Sequence, residues 1–209
     1  MLSELPFGSL LVYSPRGQLA VSEQSRVVCA AIKNARPIVL RRFTEVLAEH
    51  LSSTGPLSKF FQKDTTLIPM PRSAPLYEGA LWPARKICEC VIAAGVNGEI
   101  LPAVRRVTAV PKSSRAQPGH RPLIAAHVES MIADRIVGVT PHIVLVDDVV
   151  TKGSTAFAAA SQLTEAYPNA RIRLFAAIRT KGMQPDIEQI IEPCVGTITN
   201  LLGAGNRDP

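Results

Sequence analysis

The sequence predicts an α/β protein whose central, mainly parallel sheet is flanked by helices. Three observations carry this expectation. Short apolar runs alternate with longer stretches of helical spacing, the pattern of strands joined by helical crossovers. One run, residues 142–146, is apolar almost throughout, as a strand covered on both faces requires. Aromatic residues make up only 5% of the chain, which leaves a core of Ala, Val, Ile and Leu suited to a sheet under helices.

Along the chain, residues 10–13 and 18–21 flank Ser14, Pro15, Arg16 and Gly17, a turn sequence, and predict a small hairpin. Ser22 then caps a helix that runs to about Ala35. After Pro37, the residues Leu40, Phe43, Val46, Leu47 and Leu51 recur at helical spacing. A short buried strand at 65–70 closes on Pro71, Arg72 and Ser73, and a helix over 82–94 stops near Gly95. A strand is expected at 100–104. Residues 105–122 carry Arg105, Arg106, Lys112, Arg115, His120 and Arg121 with almost no apolar anchor, so a mobile basic loop is expected. A helix over 123–133 leads to the strand at 142–146. An alanine-rich helix over 154–167, a strand at 171–178 and a last strand at 194–200 complete the reading. The chain is read as a single domain of 209 residues, with segments 1–36 and 180–209 forming a small hood-like lobe over the sheet edge.

A net charge of +6 attracts polyanions, whether nucleic acid, acidic membrane surfaces or phosphorylated metabolites. The basic residues are scattered, which weakens a nucleic-acid tail. Cys29, Cys88, Cys90 and Cys194 lack metal-ligand spacing and read as reduced, mostly buried thiols. With no signal-peptide pattern and no apolar stretch near the roughly 20 residues of a membrane span, a soluble cytoplasmic protein is expected.

The chemistry concentrates in Asp147, Asp148, Val149, Val150, Thr151, Lys152, Gly153, Ser154 and Thr155, at the carboxyl end of the 142–146 strand. Ligands of open α/β sheets bind at such ends. Paired carboxylates accept hydrogen bonds from a vicinal diol, as a ribose presents. Thr151, Ser154 and Thr155 offer hydroxyls, Gly153 permits close backbone approach, and the helix beginning there points its positive end at an anion. A diol and a phosphate read by one short loop describe a phosphoribosyl group. The Gly-x-x-x-x-Gly-Lys-Ser/Thr order of a Walker loop is absent.

Residues 144–155 resemble the 5-phosphoribosyl-1-pyrophosphate (PRPP) signature of the type I phosphoribosyltransferases: apolar residues, two acids, two apolar residues, then a Thr/Gly/Ser-rich phosphate loop. Residues 67–72, Leu-Ile-Pro-Met-Pro-Arg, are similar to the first strand and pyrophosphate loop of the ComF-like (competence protein F) branch. Residues 31–36 resemble that branch's early Lys-Tyr-x-Gly-x-Arg segment only in the basic residues Lys33 and Arg36, and Arg106, Thr108 and Arg121 answer part of its later loop. The branch's Arg-Gly-Phe-Asn-Gln stretch is replaced by residues 78–82, and its cysteine-rich zinc module is not present in this sequence.

The resemblance implies a type I phosphoribosyltransferase fold and transfer of 5-phosphoribosyl from PRPP to a nitrogenous base or amine, with release of pyrophosphate. It implies Mg²⁺ bound mainly through PRPP, with Asp147 and Asp148 reaching it through water. Pro71, Arg72 and Ser73 would bind the pyrophosphate. Arg72 with Lys112, Arg115 and His120 would form the catalytic set, the last three closing over the site as a lid. Thr151 stands where some purine enzymes of the superfamily carry an Asp, so it cannot supply their acid–base help. The expected partners are PRPP, the acceptor and a second copy of the chain as a homodimer. Nucleic acid is the less favoured partner, and no membrane is expected. The competing reading is a non-catalytic PRPP or nucleotide sensor, or an accessory protein for DNA uptake or processing, on the same fold.

Overall fold

The computed structural model describes residues 2–110, 123–182 and 186–209. In chain order its first elements are β1 (Glu4–Tyr13), α1 (Ala20–Lys33), α2 (Pro37–Ser52), β2 (Thr65–Pro69) and α3 (Pro83–Ala93). Then come β3 (Gly98–Ile100), β4 (Val104–Arg106), α4 (Ile124–Glu129) and β5 (Met131–Ala133). The last are β6 (His142–Val150), α5 (Ser154–Ala166), β7 (Arg171–Thr180), β8 (Ile191–Leu201) and β9 (Ala204–Asp208).

Seven strands form one sheet in the order β3-β2-β6-β7-β1-β8-β9, while β4 and β5 pair apart as a small two-stranded sheet. The ladders from β3 through β1 are parallel, and β8 and β9 add antiparallel pairings at one side. Strand alternation divides the core into two layers. Ile143 and Leu145 of β6 pack with Leu174 and Ala176 of β7 and with Phe157, Ala158 and Leu163 of α5. Val144, Val146, Phe175 and Ala177 face the other way, against Ile32 of α1, Phe43 and Leu47 of α2, and Ile87 and Val91 of α3. The runs that look featureless in sequence are thus apolar because both faces of these strands are covered.

The termini depart from expectation. No hairpin forms at residues 10–21: β1 is one long strand between β7 and β8, and the chain turns at Ser14–Gly17 into α1. Ser22 does not cap that helix. The distant carboxylate of Asp186 accepts the Gln18 and Leu19 N–H groups and the Ser22 hydroxyl, a cap invisible to local reading. The segments expected as a hood over the sheet edge are instead built into the sheet as β1, β8 and β9.

Two inner boundaries also move. The strand expected at 100–104 divides at Pro102, which has no N–H to continue a ladder, into β3 of the large sheet and β4 of the small one. The helix expected at 123–133 ends at Glu129, because Met131 and Ala133 pair with Arg106 and Val104. A tertiary pairing there overrides local helix propensity.

The connection after β2 runs through α3 on one face of the sheet, and that after β6 runs through α5 on the other. Strand order therefore reverses between the neighbours β2 and β6. Such a switch point leaves a crevice beyond the carboxyl ends of the two strands, the usual ligand position in this architecture.

Candidate functional site

A cleft of about 550 Å³ lies at that crevice. One wall is the end of β6 and its loop. The ladder between β2 and β6 stops at Pro69 and Val146, where the Met70 N–H bonds the Val146 carbonyl at 2.8 Å. β6 then continues past its neighbour as Asp147–Val150, so both aspartates belong to the strand rather than following it. Both line the cleft. Burial, and next the charge of Asp148, hold the Asp147 carboxyl well above the usual carboxylate range, with Lys33 partly opposing.

The loop of this wall is held from beneath by the C-terminal strand. Gly153 has φ +87° and precedes the first turn of α5, and a Cβ there would stand 2.6 Å from Ile198 of β8. Gly205 of β9 passes so close that a Cβ on it would meet the Lys152 carbonyl and the Ser154 amide at 2.6 Å each. Its N–H bonds the Ser154 hydroxyl at 2.9 Å. Arg207 donates to the Val150 and Thr180 carbonyls at 3.1 and 2.6 Å, and its guanidinium rests over the Phe7 ring. Burial, then the charge of Arg179, bring the Arg207 pKa down to about 10. Thr151 and Lys152 remain exposed at the mouth.

The opposite wall is the loop after β2. Pro71, Arg72 and Ser73 line it, with Trp82 behind them donating its indole N–H to the Met70 carbonyl at 2.7 Å. Arg72 is exposed, and one guanidinium nitrogen bonds the Leu81 carbonyl at 3.1 Å. Arg106, at the end of β4, is 6% exposed and donates to the Arg72 carbonyl at 3.1 Å and to the Ser130 hydroxyl. Among the described residues no carboxylate forms an ion pair with Arg106, and burial lowers its pKa.

Between the walls stands His127 of α4, 2% exposed, with its Nε2 3.3 Å from the Thr155 hydroxyl. Burial, and then the charge of Arg106, push its pKa down to about 4, so the ring is neutral at physiological pH. Its Nδ1 has no hydrogen-bond partner among the described residues. The lining thus sets four cations, Lys33, Arg72, Arg106 and Lys152, against two carboxylates and a neutral imidazole. An anion with a hydroxyl-rich portion complements that balance.

The residues expected at 147–155 and at 71–73 meet in this one cleft. Lys112, Arg115, His120 and Arg121 lie outside the described residues, as does most of the expected basic loop. Sequence reasoning missed His127 and Trp82 as cleft residues, and it placed Arg105 and Arg106 in the mobile basic loop, whereas both belong to β4 because that strand pairs with β5, and Arg106 is buried. His127 carried no signal, since it sits in a stretch read simply as helix. Among the described residues no group of three or more His, Cys, Asp and Glu side chains could hold a metal ion alone. No helix of the described residues is long and apolar enough to cross a membrane. Comparison with family models, with curated proteins and with solved structures finds no match.

Proposed function

We propose that the cleft binds PRPP on a type I phosphoribosyltransferase fold and that the protein transfers the phosphoribosyl group to a nitrogenous base or amine. The observation that carries this reading is the position of Asp147 and Asp148. They project past β2 at the switch point, directly before a glycine-opened helix start and opposite Arg72. The carboxylates would accept the ribose hydroxyls. The Thr151, Ser154 and Thr155 hydroxyls and the first amides of α5 would hold the 5′-phosphate. Arg72, an open fork of donors, would take the diphosphate.

The residues present fit a magnesium ion carried by the ligand. This cation keeps several waters and uses one or two carboxylates beside phosphate oxygens, which matches two aspartates with no third His, Cys, Asp or Glu grouped with them among the described residues. When bound it neutralises charge on the diphosphate oxygens. In the reaction the acceptor nitrogen forms a bond to C1 of the ribose as the C1–oxygen bond to pyrophosphate breaks. The nitrogen's proton passes to solvent. Arg72 stabilises the charge gathering on the leaving diphosphate, and the cationic lining keeps it in place.

Calorimetry with PRPP and Mg²⁺, followed by pyrophosphate release over a panel of bases and amines, tests both halves. Binding with release supports transfer. Binding without release for every acceptor favours the sensor reading, and no binding overturns the proposal.

A further inference from the structure

The two walls are joined by a continuous polar chain that needs no ligand. The Thr155 hydroxyl, in the first turn of α5, lies 3.3 Å from His127 Nε2. The His127 carbonyl accepts the Ser130 hydroxyl at 2.8 Å, and that hydroxyl accepts from Arg106. Arg106 Nε then donates to the Arg72 carbonyl at 3.1 Å. His127, Ser130 and Arg106 are each at most 6% exposed, so water does not readily replace these bonds. The guanidinium is planar and rigid, which ties the direction of its Arg72 bond to that of its Ser130 bond. A shift of the loop at 71–73 therefore moves Ser130, the end of α4 and the imidazole facing Thr155.

We propose that this chain couples the two anion subsites of the cleft, so that occupation of one wall tightens the other. The inference rests on the PRPP reading, since it concerns the pyrophosphate side and the 5′-phosphate side of that ligand. Arg106, Ser130 and His127 are positioning residues in this scheme. They hold the loops at the separation spanned by a ribose with a phosphate at C5 and a pyrophosphate at C1, and Arg106 finds in the bound anion the counter-charge it lacks among the described residues. Two anions in one cleft repel, so without coupling the presence of one weakens the other.

The test uses the two halves of the ligand, ribose 5-phosphate and inorganic pyrophosphate, at one fixed Mg²⁺ concentration. Saturating pyrophosphate is expected to tighten ribose 5-phosphate binding to the full chain about tenfold, and the reverse titration must give the same factor. Ser130 does not line the cleft, so in Ser130→Ala each half alone should bind within about twofold of the wild type while the tightening disappears. Ser130→Thr, which keeps the hydroxyl, should restore it. Independent or mutually weakening binding in the wild type overturns the inference, as does tightening that survives in Ser130→Ala. If Ser130→Ala does not fold, the wild-type titrations still decide by their sign. Failure of PRPP and of both halves to bind the wild type overturns the PRPP reading itself. Tight PRPP binding with uncoupled halves overturns the coupling alone.

Discussion

The loop after β6 and the loop after β2 face each other across one cleft and are supported in different ways. Beneath the first, Ile198 and Gly205 of the C-terminal strands leave no room for an added methyl, the Gly205 N–H bonds the Ser154 hydroxyl, and Arg207 bonds the Val150 carbonyl. The second is held through single carbonyls, Met70 by Trp82, Arg72 by Arg106 and Ser73 by the Val110 N–H, and its Arg72 side chain is exposed. The difference suits a division of labour. A ribose 5-phosphate gains affinity from a preorganised cradle, whereas a leaving diphosphate must be gripped and then released.

The largest effect should come from the rigid wall. Asp147→Asn with Asp148→Asn removes the acceptors proposed for the ribose hydroxyls, two charge-assisted bonds of about 1.5–3 kcal/mol each, and should weaken PRPP binding at least a hundredfold. The same variant should melt higher than the wild type at pH 7. The folded-state pKa of Asp147 is raised, so the folded chain binds more protons than the unfolded one between the ordinary value of 3.8 and the raised value. Its charge therefore destabilises the ligand-free fold as pH rises through that window, and acidification should erase the gap between variant and wild type. Unchanged calorimetric affinity would sink the assignment of the aspartates. A lower Tm at pH 7 would sink the account of their strain.

His127, which bridges the walls, should respond to pH in the opposite sense. Its folded pKa is depressed from 6.5 to about 4. The stability it contributes is present above pH 6.5 and is lost as pH falls through about 4, a span worth roughly 3 kcal/mol. Melting curves from pH 7.5 to 4 should fall more steeply for the wild type than for His127→Gln. Parallel curves would show that the imidazole is not held neutral by its surroundings.

These contrasts track what could be read from the sequence. The place of the run at 147–155, at a strand end and a helix start, was legible because a buried strand, two acids and a helix-starting glycine are neighbours in the chain. Its support was not legible. The residues of β9, Ala-Gly-Asn-Arg-Asp, show no apolar alternation, and their role comes from lying against a loop far away in sequence. The cap of α1 by Asp186 is the same kind of event, a long-range bond replacing a local signal. β4 and β5 were hidden because three-residue strands carry too little pattern to outweigh neighbouring propensity. The long apolar strands β6 and β7 were found, since covering on both faces imposes the composition directly.

On the adjustable wall, Arg72→Ala should leave Tm within about 1 °C, because the side chain is exposed and makes one bond to the Leu81 carbonyl. Turnover should fall about thirtyfold through loss of a charged donor to the leaving diphosphate. If kcat falls while the affinity for ribose 5-phosphate holds, the two walls act as assigned. An equal loss for both ligands would merge them.

The smallest effect belongs to Lys33, at the last turn of α1 and at the margin of both walls. Its charge opposes the raised pKa of Asp147, and its side chain lines the cleft while staying largely in water. An exposed charge acts on a bound anion through high dielectric, where a unit pair several ångströms apart is worth about 1 kcal/mol or less. Lys33→Ala should therefore weaken PRPP binding only about threefold at low ionic strength. Because the Debye length contracts from about 30 Å at 0.01 M salt to about 10 Å at 0.1 M, the deficit should shrink as salt is added. A deficit that persists in salt would mean that Lys33 makes a direct, desolvated contact with the ligand. The C-terminal end of α1 would then bind the ligand directly rather than act on it only through its field.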